Sequence, residues 1–349
     1  MPQRKISSGQ LLLLLLLARL MHTMIFRFDY FTSGTPIMLG LLITTAIEAV
    51  IAIPAVVWLD TGGDARTRPL PKWLAFLYSA YFTVIAGGTA ALFAEFLHIE
   101  FADTVAPIAA MILIAAIAAY CSHLGIEALA RAGTVVFWLF VGFFIWMSLV
   151  SEGSFDWLNI QPLVPGDGKT LFEYVVESLS SAWWIPMLCI LGSHLRKGAW
   201  KAAYGFLACK LVIIGSLMLI ITLVLWKYVA ELGYPIFAIG AYAKSGFIQR
   251  FDAINMLIWA INCVTVAAVY IFIASKPIKK PLTGSVIFAA IAAAFAIYEY
   301  KRGMRYDEPW FLWFKFAGII LLGIAVPIAG IVIRKVTERK AHAAGKDSQ

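Results

Sequence analysis

The sequence predicts an all-helical integral membrane protein, and three observations carry that reading. The 349-residue chain is 62% hydrophobic and only 14% charged, whereas a soluble domain carries about a quarter charged residues. Its mean hydropathy is +0.85. Its apolar stretches are long, continuous and rich in Leu, Ile and Ala. They lack the period-two alternation of a membrane barrel, the other structure that satisfies its backbone in lipid.

A hydrocarbon core of about 30 Å needs about 20 helical residues, and ten such spans can be drawn. The first covers about 10–31, following Arg4 and Lys5 and opening on seven leucines, Leu11 to Leu17. A basic start before an apolar run also resembles a secretory signal. No small-x-small cleavage site follows and Arg19 interrupts the core, so the segment is expected to remain as the first helix. The others lie at about 36–59, 72–95, 104–120, 134–150, 171–193, 200–226, 252–275, 283–298 and 310–333, joined by short loops. Residues 1–349 are therefore expected to form one transmembrane domain, with 334–349 a basic tail.

Lys and Arg are retained on the cytoplasmic side. Seventeen basic residues fall on one side of the ten spans, among them Arg4, Lys5, Arg131, Lys197, Lys276 and Lys335, and eight fall on the other. Both termini are expected to face the cytoplasm. The net charge of +8 is then a topology signal plus attraction to anionic lipid, and no nucleic acid partner is implied. Cys121, Cys189, Cys209 and Cys263 form no C-x-x-C pair and read as small buried hydrophobes.

Ten spans divide into two groups of five, about 10–150 and 171–333. An odd number in each inserts the second group upside down relative to the first. Transporters built this way place their site where the first helix of each repeat breaks. The sequence therefore predicts a five-plus-five inverted repeat with broken first and sixth helices. In the first, the candidate break is Leu17-Ala18-Arg19-Leu20-Met21-His22-Thr23; in the sixth it is Ser178-Leu179-Ser180-Ser181-Ala182-Trp183-Trp184-Ile185-Pro186. Pro186 removes an amide donor close to three serines and two tryptophans. The alternative is a kinked, well-packed helix whose serines bond back to their own backbone.

Ionisable residues inside a membrane are costly unless paired or solvated. Arg19 lies eight residues past Leu11, roughly 12 Å above the inner boundary, and Glu48, descending from Pro36, reaches a similar depth. An Arg19–Glu48 ion pair is therefore expected, with inward snorkelling of Arg19 as the alternative. Lys210 and Glu177 could also meet, although their depths differ. Glu95 and Lys315 read as interfacial. Thr83, Gly87 and Gly88 either line a cavity or permit close helix contact. Asn262 and Thr265 lie near the midplane, one turn apart.

Catalytic signatures such as H-E-x-x-H and G-x-S-x-G are missing, and Gly166-Asp167-Gly168-Lys169-Thr170 lacks the earlier glycine of a P-loop. The five histidines are scattered along the chain. Neither an enzyme, a metal centre nor a cofactor is expected.

Four segments carry a family resemblance. Lys5-Ile6-Ser7-Ser8-Gly9-Gln10-Leu11, Gly125-Ile126-Glu127-Ala128-Leu129-Ala130-Arg131 and Asn159-Ile160-Gln161-Pro162-Leu163-Val164-Pro165 are three. The fourth is Tyr234-Pro235, then Phe247-Ile248-Gln249-Arg250-Phe251-Asp252-Ala253-Ile254 and Trp259. In this order and spacing they resemble the spore germination receptor B subunits, the endospore germination permease family. The chain departs from that pattern at Ala182-Trp183-Trp184-Ile185-Pro186, where the family usually has a Phe-Pro-Phe-Gly-like break.

The resemblance implies membership of the amino acid, polyamine and organocation transporter superfamily and a place in the inner membrane of the spore. It further implies assembly with an A subunit and a lipoprotein C subunit into a nutrient receptor, in which this chain binds a germinant, commonly an amino acid. The expected ligand is a small zwitterion between spans one, three, six and eight. Thr83, Gly87, Ser180 and Ser181 would line the site, with Trp183 or Trp184 against the ligand side chain and Asn262 and Thr265 opposite. The ligand carboxylate is expected to face helix-end amides.

Overall fold

The computed structural model describes residues 5–24, 34–61, 71–101, 106–160, 168–195, 197–225, 228–229, 232–242, 252–303 and 308–346. Helix α1, Ser8–Met24, starts on a reciprocal cap in which Gln10 N donates to Ser7 Oγ and Ser7 N to Gln10 Oε1. These bonds satisfy amides that the first turn leaves orphaned. The second span is split into α2, Gly34–Ile51, and α3, Ile53–Thr61. Helices α4, Lys72–Phe101, α5, Pro107–Leu124, and α6, Ile126–Ser151, complete the first half. Gly125 joins α5 to α6 at φ 93°, a left-handed conformation that suits a residue without Cβ.

The second half opens with α7, Gly168–Ser180, and α8, Trp184–Leu191, two pieces of one span. Helices α9, Ala199–Leu225, and the short α10, Pro235–Tyr242, lead to α11, Asp252–Ala274. Then come α12, Pro281–Arg302, and α13, Pro309–Gly318, a π-helical turn at Ile319–Ala325, and α14, Val326–Lys346. Among the described residues, nine helical segments are long and apolar enough to cross a membrane, and the 17-residue α1 is a shorter apolar helix beside them. All ten expected spans thus have a helical counterpart.

Packing sorts these spans into two groups. Helices α4, α5, α11 and α12 pack on one another, while α1, α2, α7 and α9 form the second group, with α1 also touching α6, α8 and α11. Spans one and two therefore sit with six and seven, and three and four with eight and nine, the grouping that a five-plus-five repeat requires. Small residues set the closest approaches. A Cβ on Gly87 would fall 2.6 Å from the Ala292 carbonyl oxygen, and one on Gly318 only 1.9 Å from Tyr81 Cε2. The outer surface carries exposed Leu42, Ile112, Leu113, Trp138, Leu139, Val212 and Ile333, a belt that only lipid covers at no cost.

The chain is also tied across its halves. Ile6 N donates to the His194 carbonyl at 3.0 Å, and Ile6 and Leu195 form an isolated parallel bridge. In the last span, Tyr78 Oη donates to the Leu322 carbonyl at 2.6 Å, within the π-helical turn. Such a turn carries i→i+5 bonds and loosens the carbonyl ladder.

Candidate functional site

The sixth span breaks at residues 181–183, which form a turn between α7 and α8. Ser181 N and Ala182 N donate to the carbonyls three residues back, Ser178 and Leu179, and Ile185 N does the same to Ala182. The break comes ahead of Pro186, not at it. Pro186 sits in the first turn of α8, where its missing N–H removes no intrahelical bond.

The turn presents its side chains to α1 and α11. Ser181 Oγ hydrogen-bonds His22 Nε2, and Trp183 packs edge-on against the His22 ring with centroids 5.2 Å apart. Trp183 Nε1 donates to Tyr270 Oη at 2.8 Å. All four residues are buried. His22 also separates two water-sized cavities. One lies between Ala18, Met21, Ile85, Thr89, Trp183, Tyr270 and Phe311. The other lies between Arg19, Thr23, Tyr174, Glu177, Ser178, Ile214 and Met218.

Buried charges surround this pair of cavities. Glu48 Oε2 forms an ion pair with Lys210 Nζ at 2.8 Å and accepts a hydrogen bond from Trp184 Nε1 at 3.1 Å, and both charged side chains are sealed from solvent. Glu177 Oε1 lies 3.8 Å from Lys315 Nζ, whose ammonium also stands 5.1 Å over the Phe311 ring. Arg19 Nη2 donates to Ser178 Oγ at 2.9 Å, and Ser178 Oγ lies 3.4 Å from Thr44 Oγ1.

This geometry corrects several sequence expectations. The Arg19–Glu48 pair is replaced by Glu48–Lys210, because α9 turns Lys210 toward α2 while Arg19 faces α7. The Lys210–Glu177 link is replaced by Glu177–Lys315. Lys315 is fully buried and not interfacial. Helix α1 runs unbroken through Leu17–Thr23 as far as Met24; residues 25–33 lie outside those described.

Two of the helix-end amides expected to face a carboxylate are engaged. Ile185 N and Met187 N donate to the Ala182 and Trp183 carbonyls, and Pro186 has no N–H. Of the expected lining residues, Ser181 and Trp183 meet at the break. Trp184 turns away to Glu48 and Phe206. Ser180 Oγ bonds the Glu177 carbonyl, and Thr83 and Thr265 donate to carbonyls one turn back on their own helices. Gly87 serves contact with α12, and Asn262 Nδ2 lies 3.4 Å from the Leu17 carbonyl. Residues 247–251 of the family-like segment lie outside those described.

Tyr270, Tyr174 and Lys210 were not expected at the site. Lys210 carried a visible signal, an ammonium mid-span, but its partner was misassigned. The two tyrosines carried none, since a tyrosine in an apolar helix reads as core.

An integral membrane protein of transporter-like architecture is the class that this arrangement of a broken helix, paired buried charges and small internal cavities fits. The chain belongs to the spore germination protein family, which matches residues 35–298. Among solved structures, it is similar to a Na+-coupled sialic acid symporter in a substrate-bound outward-open state. That likeness has a TM-score of 0.64 at 11% identity, covering 91% of this chain and 79% of the other. At such identity it establishes the transporter fold alone. No curated protein sequence matches the chain.

Proposed function

We propose that this chain is the membrane-embedded, ligand-binding B subunit of a nutrient germinant receptor. In this reading it resides in the inner membrane of a spore with both termini in the cytoplasm, and it acts with an A subunit and a lipoprotein C subunit. One observation carries the reading: in a member of the spore germination family, the break in the sixth span places Ser181 and Trp183 against His22, between two internal cavities. A small amino acid would occupy the joined cavities. Each cavity holds only water-sized space, so binding would require the walls to part. The ligand would favour the open form by its differential affinity for the two, and the partner subunits would read that shift.

Deleting the gene in its spore former and testing germination on single nutrients checks this. Loss of the response to at least one amino acid is expected. Unaltered responses in a strain stripped of other receptors would overturn the reading. The likeness to a Na+-coupled symporter supports a second reading, an ion-coupled amino acid permease. Gradient-driven uptake by proteoliposomes containing only this chain would favour it.

A further inference from the structure

Arg19 is 5% exposed and lines the second cavity, with Ser178 and Glu177. Its Nη2 donates to Ser178 Oγ, while Nε and Nη1 have no hydrogen-bond partner. Among the described residues, no carboxylate comes within ion-pairing distance of it. The two nearest at the site are matched elsewhere, Glu48 with Lys210 and Glu177 with Lys315. A guanidinium buried with vacant donors is expensive, and its residue borders a cavity.

We propose that Arg19 is the anchor for the carboxylate of the ligand, so that the site takes an α-amino acid or a similarly small carboxylate. This rests on the cavities being the ligand site. Nη2 carries two hydrogens and Ser178 takes one. One whole edge of the guanidinium, Nη2 with either Nε or Nη1, is therefore available for two parallel bonds to a carboxylate, the pairing that suits this fork. Glu177, although paired with Lys315 at 3.8 Å, lines the same cavity and supplies negative charge for an α-ammonium. Beyond His22, the cavity whose lining includes Ile85, Leu92 and Phe311 is the space into which a small side chain extends. Of the amides at the start of α8, Ile185 N and Met187 N are already bonded and Pro186 has none, whereas the guanidinium keeps two nitrogens without a hydrogen-bond partner.

The test uses the full chain in lipid nanodiscs, with thermal unfolding followed by tryptophan fluorescence. The probes are the twenty L-amino acids and the α-amide of each one that binds. The expected result is that at least one amino acid raises Tm, that its amide binds at least ~10-fold more weakly, and that R19Q weakens the acid by ~10-fold or more without weakening the amide. R19K, which keeps the charge and loses the fork, should fall between. Equal binding of acid and amide, or undiminished acid binding by R19Q, overturns the carboxylate anchor while leaving the cavity as a ligand site. Binding of no amino acid at all overturns the cavity reading and the anchor with it. If R19Q fails to fold, the acid–amide comparison on the unaltered chain decides alone.

Discussion

Replacing Lys210 by methionine preserves an unbranched side chain of similar length and removes one charge from a sealed pair. Lys210 Nζ lies 2.8 Å from Glu48 Oε2, with 0% and 1% of the two side chains exposed. At an effective dielectric of about 20, the attraction at that distance is ~6 kcal/mol before desolvation is subtracted. Removing one partner strands the other, and such losses run to ~3–5 kcal/mol. In K210M the Glu48 carboxylate keeps the Trp184 indole N–H, at 3.1 Å. At ~2 °C per kcal/mol, K210M and E48Q should each lower Tm by about 6–10 °C. The double variant K210M/E48Q carries neither charge and keeps an amide oxygen for Trp184, so it should recover at least half of that loss. Tryptophan-fluorescence unfolding of the four proteins in nanodiscs measures this. Additive losses in the double variant, or a K210M as stable as the parent, would refute a coupled pair.

Three further outcomes follow from the same contacts. Trp183→Phe keeps the ring against His22 but loses the N–H bond to Tyr270, so it should cost ~1 kcal/mol, and Tyr270→Phe should add little to it in a double-mutant cycle. Gly318→Ala places a methyl 1.9 Å from Tyr81 and should reduce folded yield severely, whereas Gly142→Ala, with nothing within 4 Å, should fold as the parent does; size-exclusion profiles compare them. Charge asymmetry in the loops predicts a cytoplasmic C-terminus, so a cysteine introduced by Lys346→Cys should react with an impermeant maleimide only after cells are opened; labelling of intact cells would reverse the topology.

The spans were legible because apolar length alone writes them: all ten expected segments have helices, although α6 already begins at Ile126 and α14 continues past the expected end at 333 to Lys346. The break in span six was legible too, from serines next to a proline. Its position was not, because Pro186 is tolerated in a first turn and the chain yields just ahead of it. Partnerships among buried charges were the least legible. Depth can be counted from a boundary at a fixed rise per residue, but a helix's rotation about its axis cannot. Arg19 and Glu48 satisfied the depth argument, yet the facing of α9 gave Glu48 to Lys210. Lys315 misled for a related reason. It stands near the start of its span, but α13 carries it inside, beside Tyr81, Phe311 and Glu177.

The π-helical turn at Ile319–Ala325 has a bearing on how this chain is compared with its kin. A wide turn accommodates one residue more than an α-helical turn does. Residues beyond Val326 are therefore out of phase by about 100° with those before Gly318, relative to an uninterrupted α-helix. A relative lacking the insertion would align residue for residue up to this point and be offset by one afterwards. Its lipid-facing and protein-facing positions would then seem exchanged, although the two folds agreed. Deleting one residue within 319–325 would impose that rotation here, swinging α14 away from the face that now meets Trp58 through Gly330.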